Sequence, residues 1–352
     1  MKVTLVADRL TYNGRSTYAL HLARGLKESG VDLRFCLPGG ELRYQLDELN
    51  IENYIIKYNL LSFHRLTSFL CEFSPDILHI TSERALQTGR RIARSLRKSY
   101  VVSVHDLLEV GTLSLGNARA VVVTNEALRQ VLVNQLGVPK SKIRLIPRGV
   151  DLTLFDLPPI RLHGRLPVVG CVGRLVSGKG QDVFLRAARQ VLDKGFEALF
   201  LLVGEGREES KLRRLIKDLN LTKVVTISPP IPDPRKVYKA IDIVVVPTLQ
   251  AAGSTTALEA MAARRAVVAS CVGDLLHFVR NEENALTVEP GNVESLSRAI
   301  IRLLADPDFA RTLGEKARQY VSTNYPLSRM VEGTLALYQD ILEGAFESTF
   351  PH

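Results

Sequence analysis

Tryptophan is absent from the 352 residues, and aromatic residues make up only 6% of them. No basic stretch is interleaved with aromatics, so the stacking platform that binds single-stranded nucleic acid is missing. The four cysteines, Cys36, Cys71, Cys171 and Cys271, include no CxxC pair. That spacing argues against a disulfide framework or a cysteine-rich zinc site and makes a reducing cytoplasm the expected compartment. Seven histidines provide no HExxH, and no Asp-x-Asp stands at a strand end. No run reaches the roughly 18 apolar residues that a spanning helix requires. Met1 to Asp8 is too short and too strand-like for a signal peptide.

What is present is globular. Hydrophobic residues are 46% and charged residues 24%, and the length suffices for two ordinary domains. Lys and Arg number 46 against 37 Asp and Glu, a net charge of +9. Such a surplus favours an anionic partner such as a phosphate, a nucleotide or an acidic membrane.

Short β-branched runs recur at Val3 to Ala7, Leu33 to Leu37, Ile77 to Ile80, Tyr100 to Val104 and Ala120 to Val123, separated by segments of helical period. The alternation pauses at Asp151 to Pro167, which reads as a linker. It restarts with expected strands at Val168 to Val172, Ala198 to Val203, Val224 to Ile227, Ile243 to Val246, Ala266 to Ala269 and Ala285 to Val288. A helical tail broken at Pro326 follows. This is an α/β chain with two doubly wound, Rossmann-like domains. The expected division is 1–157, 158–325 and a tail, 326–352, that packs back on the first domain. Ligands of such sheets bind at the carboxyl ends of strands, beside helix N-termini, so a cleft between the domains is the expected site.

Four segments at strand ends could carry chemistry. Val172-Gly-Arg-Leu-Val-Ser-Gly-Lys-Gly180 places Arg174 and Lys179 on one glycine-rich turn that opens a helix, an arrangement suited to a diphosphate. It has neither P-loop nor GxGxxG spacing, so no nicotinamide cofactor is implied. Gly253, Ser254, Thr255 and Thr256 form a small-residue loop whose amides can meet a phosphate or a sugar hydroxyl, with Glu259 one turn later to accept from a ribose diol. Asn13-Gly-Arg-Ser-Thr17 gives Gly14 for close approach and Ser16 or Thr17 as a helix cap. His105 ends a strand and can hydrogen-bond a substrate hydroxyl or carbonyl.

In order and spacing these segments resemble the retaining glycosyltransferases of family 4, which have the GT-B fold. The likeness is strongest from about 118 to 305. It includes Ile143-Arg-Leu-Ile-Pro-Arg-Gly-Val-Asp151, Leu202-Val-Gly-Glu-Gly206 and Leu258-Glu-Ala-Met-Ala262. The resemblance implies that Arg174 and Lys179 bind the donor diphosphate and that Glu259 holds the ribose. It implies that Gly253 to Thr256 face the donor phosphate and sugar, that Gly14 belongs to a flexible N-domain loop near the phosphates, and that His105 lies near the transferred sugar. Ala251 stands where the family has its first Glu, with Gln250 adjacent, and Arg148 stands where Asn is common.

The activity so implied is transfer from a UDP or GDP sugar, with retention and without a metal or other cofactor. The expected acceptor is a glycan or lipid-linked glycan of cell-envelope polysaccharide or lipopolysaccharide. Two other readings stay open: a degenerate binder of nucleotide or glycan, and a nucleotide-sugar epimerase on the same fold. Arg84 to Lys98 carries six basic residues and no acidic one. With Leu86, Gly89, Ile92, Ala93 and Leu96 on one side, it leaves Arg90, Arg91, Arg94, Arg97 and Lys98 around the rest. Such a helix can dock on anionic lipid, which would put the protein at the cytoplasmic face of an inner membrane; it equally fits a core-packed helix with a solvated face.

Overall fold

The computed structural model describes residues 1–57, 59–105, 115, 117–160, 162, 164–250 and 254–344. The chain divides into two compact units, Met1–Gly149 with Leu327–His352, and Val150–Pro326.

Seven parallel strands build the sheet of the first unit. They are β1 (Lys2–Val6), β2 (Asp32–Leu37), β3 (Glu52–Ile55), β4 (Ile77–Ile80), β5 (Tyr100–Val104), β6 (Ala118–Val123) and β7 (Ile143–Leu145). Their order is β3-β2-β1-β4-β5-β6-β7, which reverses direction between β1 and β4. Helices α1 (Gly14–Glu28), α2 (Tyr44–Glu48), α3 (Leu60–Phe73), α4 (Leu86–Leu96) and α5 (Glu126–Asn134) connect them. Side chains alternate across a strand, so Val3 and Leu5 pack with Tyr18, Leu22 and Leu26 of α1 on one face. Val6 packs with Leu66 and Leu70 of α3 and Ile92 of α4 on the other. The sequence pattern omits β3 and β7. Both are edge strands of three or four residues with a single buried position between them, so neither carries a continuous apolar run.

The second unit repeats the plan with β8 (Val168–Val172), β9 (Leu199–Val203), β10 (Val225–Ser228), β11 (Ile243–Val246), β12 (Ala266–Ser270) and β13 (Leu286–Val288), in the order β10-β9-β8-β11-β12-β13. Its helices are α6 (Gln181–Asp193), α7 (Glu209–Asp218), α8 (Pro234–Ala240), α9 (Ser254–Ala262), α10 (Val293–Ala305) and α11 (Pro307–Asn324). Residues of α6, α7 and α10, with Ala310 and Leu313 of α11, pack in one core cluster; residues of α8 and α9, with Ala317 and Val321 of α11, pack in the other.

The division falls at Gly149–Val150, ahead of the expected 157–158. The supposed linker is held by the second unit. Phe155 is fully buried, with its ring 5.6 Å from that of Tyr238. Arg264 donates to Asp156 at 2.8 Å, and Arg318 to the Leu152 carbonyl at 3.0 Å. Proline and glycine spacing alone does not reveal such anchoring.

After α11 the chain returns to the first unit as α12 (Leu327–Leu342). Met330, Val331, Leu337 and Tyr338 of α12 join the core that α1 covers.

Candidate functional site

Both sheets reverse strand order at a point where a loop from the first strand leads into a helix, the place where open α/β sheets bind ligands. In the second unit these loops follow β8 and β11.

The β8–α6 loop is tied to its neighbours by backbone. Gly173 donates to the Val203 carbonyl at 2.9 Å, and Leu175 to the Glu205 carbonyl at 2.8 Å. Leu249 donates to the Gly178 carbonyl at 2.8 Å, joined by the Thr248 hydroxyl at 3.2 Å. Gly180 has φ +72, and a Cβ there would lie 1.9 Å from the Pro247 carbonyl oxygen. Only glycine therefore lets the loop meet the end of β11. Gly180 is the N-cap of α6, and no side chain caps its first turn. On this frame Arg174 is exposed and Lys179 half-buried. Gln181 secures the loop by donating to the Arg174 carbonyl at 2.9 Å. The thiol of Cys171 on β8 is pushed up to about 12 by burial, with the Lys179 charge opposing the shift.

Glu259 lies on α9, half-buried. The Tyr238 hydroxyl donates to its Oε2 at 2.8 Å. Burial pushes the Glu259 carboxyl up to about 7, and the bond from Tyr238 only partly offsets this. The carboxyl therefore titrates near neutrality, unlike the solvated Glu of an ordinary exposed helix. The Thr256 hydroxyl donates to the Val172 carbonyl at 3.4 Å, which brings the start of α9 to the end of β8. Ser254 is buried and donates to Asp274 at 3.4 Å, while Thr255 is half-buried. Gly253, like Ala251, lies outside the described residues.

In the first unit, α1 is capped by Asn13, whose side chain accepts from the amides of Arg15 and Ser16 at 3.0 Å. The expected caps do other work. The Ser16 hydroxyl accepts from the Thr11 amide at 3.0 Å, and Thr17 donates back to the Asn13 carbonyl at 3.2 Å. Asn13 is favoured because it has the extended backbone of a cap, whereas Ser16 and Thr17 are already helical. The carbonyl of Gly14 accepts from the Arg148 guanidinium at 2.8 Å.

His105 follows β5 and is 7% exposed. Its backbone amide donates to Glu83 Oε2 at 3.0 Å, and its Nε2 lies 2.9 Å from the Thr81 carbonyl. A carbonyl only accepts, so Nε2 carries the proton and Nδ1 presents a lone pair. That Nδ1 is buried and has no hydrogen-bond partner among the described residues. Burial first, then the Arg148 charge, hold the imidazole well below its ordinary range, so it is neutral at physiological pH. Sequence reasoning missed the groups that hold it. Glu83 also pairs with buried Arg15 at 3.3 Å, and Arg15 reaches Asp8 at 3.7 Å. Each follows a strand end or opens a helix, the same signal that singled out His105.

The basic segment splits into a short turn at Glu83–Ala85 and α4. Leu86, Gly89, Ile92 and Ala93 are buried, Arg91, Arg94, Arg97 and Lys98 are exposed, and Arg90 is half-buried. Arg97 ends the helix in the left-handed region, so Lys98 lies beyond it. None of the described helices is long and apolar enough to cross a membrane. No group of three or more His, Cys, Asp or Glu among the described residues could hold a metal ion.

Comparison with known proteins adds names to this geometry. The family model described as Glycosyltransferase Family 4 matches residues 12–154, and the one described as Glycosyl transferases group 1 matches residues 157–320. The chain is 32% identical over 269 residues to a D-inositol 3-phosphate glycosyltransferase of Acidothermus cellulolyticus, covering 70% of this chain and 60% of that protein. It is 32% identical over 219 residues to the lipopolysaccharide core biosynthesis mannosyltransferase LpcC of Rhizobium leguminosarum bv. viciae, covering 59% of this chain and 61% of that one. Both matches thus span about three fifths of the relative's length. Among solved structures, Anabaena HepE in complex with UDP-glucose superposes with a TM-score of 0.83 at 20% identity, over 98% of this chain and all of that one.

Proposed function

This chain belongs to glycosyltransferase family 4 and has the GT-B fold, and from that premise we propose that it moves a sugar from a nucleotide diphosphate sugar to an acceptor hydroxyl, retaining the anomeric configuration. The observation that carries the proposal is the β8–α6 loop, which is knitted by backbone to the end of β11 and bears Arg174 and Lys179 beside a helix start that no side chain caps.

The reaction breaks the bond between the anomeric carbon and the diphosphate oxygen, and the electron pair leaves with the nucleotide. Arg174, Lys179 and the first amides of α6 offset the charge that gathers there, the role a metal takes elsewhere. The acceptor oxygen bonds to the anomeric carbon on the face the nucleotide vacates, and its proton passes to a departing phosphate oxygen. Glu259 accepts from the ribose diol. His105 offers its Nδ1 lone pair to a hydroxyl of the transferred sugar, and Gly14 and Ser254 to Thr256 stand near the phosphates and sugar.

The bound UDP-glucose of the Anabaena neighbour supports a UDP donor, with GDP the alternative. The Rhizobium relative supports a glycan or lipid-linked acceptor in lipopolysaccharide or related envelope synthesis. The exposed arginines of α4 would then hold the protein against an anionic membrane on its cytoplasmic face.

Thermal shift with UDP, GDP and their sugars tests the proposal, because a ligand of the folded state raises Tm. The true donor is expected to raise Tm in the wild type and not in Arg174→Ala or Lys179→Ala. Full retention of the shift in both variants would overturn the placement of the diphosphate. Binding without acceptor-stimulated nucleotide release would favour the degenerate binder, which Ala251 in place of the family's Glu makes a defined second reading.

A further inference from the structure

A line of four buried polar side chains runs through the core of the first unit, and the mechanism above uses none of them. It starts on α12, where the Tyr338 hydroxyl lies 2.6 Å from His79 Nδ1. On the other side of the ring, His79 Nε2 lies 2.8 Å from the Ser103 hydroxyl. The Ser103 hydroxyl is 3.0 Å from that of Tyr18 on α1. The side of the Tyr18 ring then meets His105, with ring centroids 4.4 Å apart and planes at 63°. His79, Ser103 and Tyr338 are fully buried and Tyr18 is 3% exposed.

A core gains little stability from such a chain. Apolar groups of the same shape are often equally stable, whereas removing one member leaves its neighbour buried and unpaired. What the chain supplies is direction. Burial lowers His79 to about 3, so its ring is neutral, and one nitrogen donates while the other accepts. The hydroxyl on either side must then point the matching way, so the orientations along the line are coupled. Tyr18 is the last member, and its ring is the wall against which the imidazole of His105 rests. Among the described residues, His105 is hydrogen-bonded by the Glu83 contact to its amide and the Thr81 carbonyl at Nε2. Neither one touches the ring face.

We infer that Tyr338, His79 and Ser103 are positioning residues which act through Tyr18 to hold the His105 imidazole in the orientation that aims Nδ1 at the substrate. The consequence for turnover rests on the glycosyltransferase reading; the consequence for the imidazole does not. The return of the chain as α12 is thereby part of the site, although α12 itself contacts no reacting atom.

Two measurements test this. The first is histidine-selective ¹⁵N NMR of the full chain, with His105 assigned by loss of its signals in His105→Ala. In the wild type His105 should show one tautomer, protonated at Nε2. In Tyr338→Phe its ring signals should broaden or average, and Ser103→Ala, which breaks the line at its middle, should do the same. Tyr18→Phe keeps the Tyr338–His79 pair and serves if Tyr338→Phe does not fold. Unchanged His105 signals in the folded variants would overturn the inference, whatever the protein's activity.

The second is a double-mutant cycle on nucleotide release from whichever of UDP-glucose, UDP-N-acetylglucosamine and GDP-mannose the wild type turns over. Tyr338→Phe should lower kcat about tenfold and leave KM for the donor within about twofold, and it should add nothing in a His105→Ala background. Losses that multiply would mark a merely structural role and overturn the inference. A wild type that turns over none of the three counts against the glycosyltransferase reading and leaves the NMR result to decide the positioning.

Discussion

The hydroxyl of Tyr238 donates to Glu259 Oε2 at 2.8 Å, and both groups are pushed up by burial, the Glu259 carboxyl to about 7. The folded chain therefore holds a proton on Glu259 that the unfolded chain releases near pH 4.5. Between about pH 4.5 and 7 the folded state binds more protons, so this group's contribution to stability falls as pH rises through that window. Glu259→Gln should flatten this part of the Tm-against-pH curve. Because a ribose diol donates to the ionised carboxylate, nucleotide affinity should rise between pH 6 and 8 in the wild type. Titration calorimetry should show no such rise in Glu259→Gln.

Gly180 and Gly178 sit on the same loop and should respond differently to alanine. At Gly180 the new methyl group would meet the Pro247 carbonyl oxygen at 1.9 Å, and backbone cannot yield cheaply. At Gly178 the nearest atom is Gln250 Oε1 at 3.3 Å, the far end of a flexible side chain. Both have positive φ, which alone costs about 1 kcal/mol. Gly180→Ala should cost about 2–4 kcal/mol by denaturant unfolding and abolish the nucleotide shift. Gly178→Ala should cost about 1 kcal/mol and keep it. Equal effects would show that the close approach to Pro247 is not what limits the loop.

His105 is held neutral by burial and then by Arg148. The unfolded chain takes up a proton near the ordinary pKa of about 6.5 while the folded chain does not, so this stability is present above that pH and is lost progressively as pH falls below it. Removing the guanidinium in Arg148→Ala raises the imidazole toward its usual range, so the variant should lose less stability than wild type between pH 6.5 and 5. Urea unfolding at several pH values measures this directly. The same variant removes the guanidinium bond to the Gly14 carbonyl and should weaken donor turnover.

The exposed arginines of α4 make a prediction about surfaces. Reversing Arg91 and Arg94 to Glu should change unfolding free energy by no more than about 0.5 kcal/mol each, because both point to solvent. The same change should abolish flotation with vesicles containing anionic lipid, and wild-type flotation should weaken with salt. Binding of wild type to neutral vesicles with equal strength would exclude docking by charge.

The sequence pattern discloses some of these features and conceals others for physical reasons. β8, β11 and β12 are legible because they are buried on both faces and read as apolar runs. That Arg174 and Lys179 stand on a strand-to-helix turn, and Glu259 on the helix after the next such loop, is legible because glycines and small residues mark those loops. The pairing of Tyr238 with Glu259 is not: 21 residues separate them, and only the packing of α8 on α9 joins them. The link from Tyr338 to His79 spans 259 residues and leaves no local trace at all. Asn13 is concealed as the cap of α1 because Ser16 and Thr17 beside it serve equally well by residue type, and only backbone conformation chooses.

The chain enters the second unit at Val150 and leaves it at Pro326, and the Val150 amide donates to the Tyr325 carbonyl at 2.9 Å. During synthesis, then, the Val150–Pro326 unit is complete before the first one is. The earlier sheet must wait for Leu327–Leu342 to emerge, with His79 and a strip of its apolar surface still uncovered. A nascent chain halted at Pro326 would carry a finished second half and a first half that still lacks α12.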